Sequence, residues 1–229
     1  MVTVVGLIGS GKSTLTEELG VALGPNTLIL REPVIENGGN PYLADYYAEP
    51  KRWSLTMQVH LLALRFRMHK HAQWHSLQGH GASVIDGSYY MDTAFARLQL
   101  KLGLMEPREF DTYSAIYHAM TASVLYPTAC VRVLVDPTTC NRRISRRMER
   151  IEGRKCESAI DLNYLQNLDG EIEHMVSVLK HNGVTHFDMP WDLDRDNPEA
   201  RQQAVQGLAA RILATRPPDP FLDLHRRTM

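Results

Sequence analysis

The stretch Val2 to Thr14, "VTVVGLIGSGKST", decides the fold. Its first half is a β-branched apolar run, the composition of a strand covered on both faces. Its second half matches G-x-x-x-x-G-K-[ST] through Gly6, Gly11, Lys12 and Ser13, and the helical pattern "TLTEELGVAL" follows at once. Strand, glycine loop and helix in that order predict a phosphate-binding loop for a nucleoside triphosphate. Backbone N–H groups of Gly9, Ser10 and Gly11 would surround phosphate oxygens, with the helix N-terminus adding its dipole. Lys12 would reach the β/γ oxygens, Ser13 would bind Mg2+, and Thr14 completes the expected ATP-binding set. A glycine turn that binds nothing is the plain alternative; the strand, the helix and the Lys-Ser pair together argue against it.

Working outward, four more short apolar runs, "NTLILREP", "GASVIDG", "ACVRVLVDP" and "GVTHFDMP", alternate with longer helical stretches. This is the βα alternation of an α/β fold with a five-stranded parallel sheet and helices on both faces. Ligands of such sheets gather at the carboxyl ends of the strands. Glu32, Asp86 and Asp136 end the second, third and fourth runs, so one sheet edge should collect the chemistry.

At 229 residues and 44% hydrophobic, the chain is expected to form one large domain over 1–229. A formal net charge of −1 argues against a general nucleic-acid or membrane-surface partner. No apolar run approaches the ~20 residues of a membrane span. The first residues lack a basic leader region, and the three cysteines, Cys130, Cys140 and Cys156, show no C-x-x-C spacing. The expected location is therefore cytoplasmic and reducing. The three prolines of "TRPPDPFLDLHRRTM" predict an extended tail over about 215–229.

A phosphate loop does not name the acceptor, since kinases, GTPases and ATPases share it. No N-K-x-D guanine pattern occurs, which lowers the GTPase reading. Glu32, left at the sheet edge by Pro33, suits a general base for a hydroxyl acceptor; pairing with Arg31 is its plain alternative. From Trp53 onward Leu55, Val59, Leu62 and Phe66 recur at helical spacing, and Gln58 and Arg65 share one face two turns apart. That pair could read a nucleobase edge, against a simple solvated face. Arg142, Arg143, Arg146, Arg147, Arg150 and Arg154 form a run that suits an arginine-rich lid over about 142–158, neutralising charge on a transferring phosphoryl group. His71 and His75 stand at i, i+4, but no carboxylate or cysteine shares their spacing, so a metal site is not expected there. "FDTYSAIYHAMTASVLYP" reads as core or dimer interface.

The blocks "GLIGSGKST", "REPV", "NPYLADYYAEPKRWSLTMQ", the acid-x-Ser segment at Asp86, and "RRMERIEGRKCESAIDLNYL" come in the order seen in the deoxyribonucleoside kinases. The chain resembles that family over roughly residues 1–190, and most of all its bacterial deoxyadenosine/deoxyguanosine kinase branch. The resemblance implies that Glu32 is the base on the 5′-hydroxyl and Gln58 the reader of the nucleobase. It puts Tyr47 and Glu157 on the sugar 3′-hydroxyl, and Arg65 and Asp92 in the polar pair of purine- and cytosine-accepting members. Phe95 becomes a candidate wall, Trp191 a neighbour of adenine, and Asp86 a carboxylate on the Mg2+ side, directly or through water. MgATP would be the donor, and a homodimer is implied.

Two departures stand out. The lid register is shifted by a short insertion; anchoring on Tyr164 puts Gly153-Arg154 and Glu157 at the family's positions and leaves Arg147, Arg150 and Arg154 as phosphate contacts. Gly87 stands where the family has an arginine, in an acid-Arg-Ser motif that contacts phosphates and orients the glutamate. A lid arginine such as Arg150 is expected to substitute for it. The rival readings are a thymidylate-type nucleoside monophosphate kinase and a nucleotide-binding subunit without turnover.

Overall fold

The computed structural model describes residues 1–32, 40–150, 157–192 and 197–218. Five parallel strands run β1 (Val2–Gly6), β2 (Leu28–Leu30), β3 (Ser83–Asp86), β4 (Ala129–Leu134) and β5 (Thr185–Pro190), ordered β2-β3-β1-β4-β5 across the sheet. Every residue of β1 and of β3 is buried, as continuous apolar runs require of central parallel strands. β5, at one edge, alternates buried and exposed residues over its last four positions. At the other edge β2 is three residues long, shorter than the run "NTLILREP" suggests, so Glu32 lies two residues beyond the strand rather than at its end.

The helices are α1 (Lys12–Ala22), α2 (Leu43–Ala48), α3 (Pro50–Leu77), α4 (Tyr89–Lys101), α5 (Pro107–Thr121), α6 (Pro137–Arg150), α7 (Leu162–His181) and α8 (Pro198–Leu213). They make two layers. α1 packs against α8 and touches β1, while α7 packs against α4 and touches β1 from the other layer. β1 is flanked by β3 and β4, reached by connections that run in opposite directions from it, so the phosphate loop sits at the topological switch point.

The 28-residue α3 begins on Pro50, which fits a first-turn position that needs no N–H donor. Its buried stripe holds Ser54, Met57, Gln58, Leu62, Arg65, His69 and Ala72. Gln58 and Arg65 are thus inside the protein and not on a solvated face. Polar groups survive there only with partners, which makes their contacts informative. At the far end His75 bonds through Nε2 to the Asn26 carbonyl, 3.1 Å away, and His71 is exposed.

The turn from β3 into α4 answers for Gly87. Its N–H bonds to the Val4 carbonyl at 3.0 Å, and its φ of +70° lies in the left-handed region that glycine adopts without a Cβ penalty. Ser88 then caps α4, its hydroxyl accepting from the Tyr90 N–H at 3.1 Å. Asp136 has a comparable local task. It accepts from the Thr138 N–H at 2.8 Å, and bonds from Thr138 hold its carboxyl below the usual carboxylate range. It starts α6 and does not line the cleft described next.

Candidate active site

A cleft of about 1010 Å³ opens at the carboxyl edge of the sheet. At one end lie Gly9, Gly11, Lys12, Ser13 and Thr14; at the other lie Glu32, Tyr47, Gln58, Arg65 and Phe95, with Asp86 between. Arg147, Arg150 and Glu157 line it as well. Of the remaining expected residues, Ser10 is buried within the loop and Gly6 ends β1 behind it. Asp92 is 0% exposed, behind Arg65. Arg154, Gly153, Cys156, Pro33 and the segment 219–229 lie outside the described residues.

The phosphate end is closed by its own groups. Lys12 Nζ donates to the Leu7 carbonyl at 3.0 Å, and Arg143 Nη1 donates to the Ser10 carbonyl at 3.1 Å. α6 packs tightly on this loop, since a Cβ at Gly9 would stand 2.8 Å from the Cys140 carbonyl oxygen. On the outer side a Cβ at Gly11 would stand 2.9 Å from Trp191 Cδ1, so the indole lies flush with the loop. Arg201 covers Trp191 at 4.8 Å from its ring centre and pairs with Glu18. With Arg142, Arg146, Arg147 and Arg150 also on the wall, this end is strongly cationic and suits a polyanion.

Asp86, 1% exposed, stands where the two ends meet. Burial raises its carboxyl pKa, Lys12 opposes that rise, the Glu32 carboxylate adds to it, and a hydrogen bond from Ser13 opposes it again. Its Oδ1 has no hydrogen-bond partner among the described residues. A buried carboxylate oxygen without a donor, beside a serine hydroxyl, is a donor set that suits Mg2+. Ser13 and Asp86 therefore fit the ion expected from the sequence.

The acceptor end is built around Arg65. Its Nη1 donates to Asp92 Oδ1 and its Nη2 to Glu32 Oε1. Burial works against the guanidinium's charge, and the Asp92 and Glu32 carboxylates more than restore it, leaving its pKa above the ordinary value. Arg31 is engaged elsewhere, donating from Nη2 to Glu17 Oε2 at 2.9 Å, so the pairing of Glu32 with Arg31 does not occur. Gln58, 1% exposed, offers an Oε1 acceptor with no partner among the described residues.

Sequence reasoning passed over several wall residues. Tyr46, Gln99 and Tyr164 line the cleft from α2, α4 and α7, and burial raises the Tyr46 phenol pKa. No local pattern joins residues from three separate helices. Arg143, named in the arginine run but not among the phosphate contacts, follows the buried Cys140 by three positions and precedes buried Ile144 by one, which puts it on the flank of α6 that faces the loop.

A sequence profile of the deoxynucleoside kinase family matches residues 2–211. The chain is 32% identical over 167 residues to a deoxyadenosine kinase of Dictyostelium discoideum, covering 73% of this chain and 62% of that one. It is 32% identical over 178 residues to the deoxyadenosine/deoxycytidine kinase of Bacillus subtilis, covering 77% of this chain and 76% of that one. The match thus spans 62% of the length of the two Dictyostelium relatives. Among solved structures, the deoxyadenosine kinase from M. mycoides with bound dATP superposes with a TM-score of 0.71 over 93% of this chain and 98% of that one. At 23% identity that likeness speaks to the fold.

Proposed function

Because the chain belongs to the deoxynucleoside kinase family, we propose that it transfers the γ-phosphoryl group of ATP to the 5′-hydroxyl of a deoxynucleoside with a purine or cytosine base. The observation that carries this reading is one cleft that faces a cationic phosphate loop towards a carboxylate, Glu32, and a buried amide oxygen, Gln58 Oε1, that has no partner among the described residues. An amide that both donates and accepts can pair with an adenine or cytosine edge. Arg65 does not favour a monophosphate acceptor, because its charge is already taken by two carboxylates.

In this mechanism the triphosphate lies along Gly9 to Thr14 with Lys12 turned from the Leu7 carbonyl to the phosphates. Glu32 accepts the 5′-hydroxyl proton, which sharpens the oxygen as a nucleophile in an in-line transfer. Tyr47 and Glu157 hold the sugar 3′-hydroxyl, and Phe95 walls the base or sugar. Arg147, Arg150 and Arg154 close from the lid to spread the phosphoryl charge. When Mg2+ is bound, held by Ser13 and by Asp86 directly or through water, it offsets phosphate charge.

The same reading takes 1–229 as one kinase domain, with a lid at about 142–158, working as a homodimer in the cytoplasm. Family resemblance supports the dimer. Burial pushes the Cys130 thiol up to about 12, which makes it an inert thiol. No described helix is long and apolar enough to cross a membrane. The test is transfer from γ-labelled ATP to a panel of deoxynucleosides alongside their 5′-monophosphates. Labelled deoxynucleoside monophosphate is expected; label in the diphosphates alone, or in neither, would overturn the reading.

A further inference from the structure

Arg65 stands on the buried stripe of α3 with 4% of its surface exposed. Its guanidinium joins Asp92, on α4, to Glu32, beyond β2. Its remaining donor, Nε, has no partner among the described residues and lies 3.8 Å from where a Cβ at Gly87 would be. The guanidinium stem therefore runs directly over the glycine, in the space into which a side chain at position 87 would begin to grow. Gly87 holds φ at +70°, so the β3–α4 turn itself favours leaving that space open.

Four neighbouring cations among the described residues are engaged with other groups. Lys12 is on the Leu7 carbonyl, Arg31 on Glu17, Arg143 on the Gly9 and Ser10 carbonyls, and Arg147 on Glu157. The anchoring of Arg65 is asymmetric. Asp92 is fully buried, whereas 37% of the Glu32 side chain is exposed. A planar guanidinium fixed on one side by an interior carboxylate presents its other edge in a set direction, which is how a bidentate donor imposes orientation.

We propose that Arg65 is the positioning residue for Glu32 in this chain, standing in for the side chain that position 87 lacks and tying the carboxylate to Asp92 and the nucleobase end of the cleft. The proposal rests on the reading of Glu32 as the group that takes the 5′-hydroxyl proton. Its consequence is that base recognition and proton acceptance share one cation. Filling the nucleobase end should set the geometry of Glu32, so that a poorly fitting base costs turnover as well as binding.

Two measurements test this, and the first does not depend on activity. In 15N-resolved NMR of the guanidinium groups, assigned with Arg65→Lys, the Arg65 Nη protons should be separate and slowly exchanging. Glu32→Ala should release one Nη pair and Asp92→Ala the other; unchanged Arg65 signals in Glu32→Ala would overturn the proposal whatever the protein phosphorylates. The second measurement compares Asp92→Asn with Asp92→Asn/Arg65→Gln on deoxyadenosine and deoxycytidine, so that no buried carboxylate loses its counter-ion. Removing Arg65 should lower kcat about 100-fold at saturating nucleoside, the scale of a misplaced reacting group, with KM for ATP unmoved. A change confined to nucleoside KM would make Arg65 a binding residue only and overturn its positioning role. A wild-type chain that turns over no deoxynucleoside would remove the functional reading, and the NMR result would still decide whether Arg65 holds Glu32.

Discussion

Arg147 donates from both Nε and Nη2 to a single oxygen of Glu157, Oε2, at 3.0 and 2.6 Å. One residue was expected on the transferring phosphate and the other on the sugar, yet here they hold each other across the cleft between α6 and the turn before α7. Glu157 is nearly buried, its side chain 3% exposed, while Arg147 is 30% exposed. A sugar hydroxyl that takes over part of Glu157 would free Arg147 to turn towards the phosphates.

Removing one partner should show the strength of that contact. Arg147→Ala takes two hydrogen bonds away from a buried carboxylate and should cost about 1–3 kcal/mol of stability. Arg147→Ala combined with Glu157→Gln should recover most of the loss. Urea unfolding of the three proteins checks this; equal midpoints would show that the pair carries no net energy.

Glu32→Gln keeps the shape of the side chain and its contact with Arg65 but cannot accept the proton. Turnover should fall by a factor of about 100 to 10,000, the usual range for losing a general base. ATP affinity, read by calorimetry, should stay near the parent value because the phosphate loop is at the other end of the cleft. Undiminished turnover would take Glu32 out of the base role.

Gly87→Ala places a Cβ on a backbone with φ +70°. The left-handed conformation should cost about 1–2 kcal/mol, seen as a lower Tm. Gly87→Arg should carry the same backbone cost and bring a second guanidinium beside Arg65, so it is expected to lower turnover. A sharp rise instead would mean that Arg65 leaves the work of the missing arginine undone.

His69 gives the stability a dependence on pH. It is 1% exposed, bonds through Nε2 to the Leu125 carbonyl at 2.9 Å, and sits edge-on to Tyr89. Burial pulls its pKa down from the ordinary 6.5 to about 4. Below 6.5 the unfolded chain takes a proton that the folded one refuses, so stability is full above that value and is lost as pH falls towards 4. The loss has a ceiling of about 3 kcal/mol. His69→Gln should flatten the fall between these limits in denaturation profiles taken at stepped pH; an unchanged slope would show that His69 is not its source.

The phosphate loop was legible in the sequence because its geometry is local. Glycines, lysine and serine at fixed spacing, between an apolar strand and a helix, suffice to place backbone donors around an anion. The parallel sheet was legible for a similar reason, since uninterrupted runs such as "VTVVG" and "SVID" fit strands covered on both faces. Glu32, Tyr47, Gln58, Arg65 and Phe95, proposed for the acceptor, were legible through the order of their motifs, and the structure gathers them in one cleft.

What periodicity could not give was the partner of each charge. Composition and spacing leave Glu32 as ready to pair with its neighbour Arg31 as with a distant cation, and leave Arg65 on a solvated face. Burial of the α3 stripe removes the solvent that would have satisfied Arg65, and the packing of α3 against α4 brings it Asp92. Residues 32, 65, 87 and 92 stand far apart along the chain, so their relationship depends on the distances between packed elements. Fold class and phosphate loop follow from local spacing, whereas the identity of the cation beside Gly87, Arg65, comes from packing, because an ion pair between separate elements depends on how those elements meet.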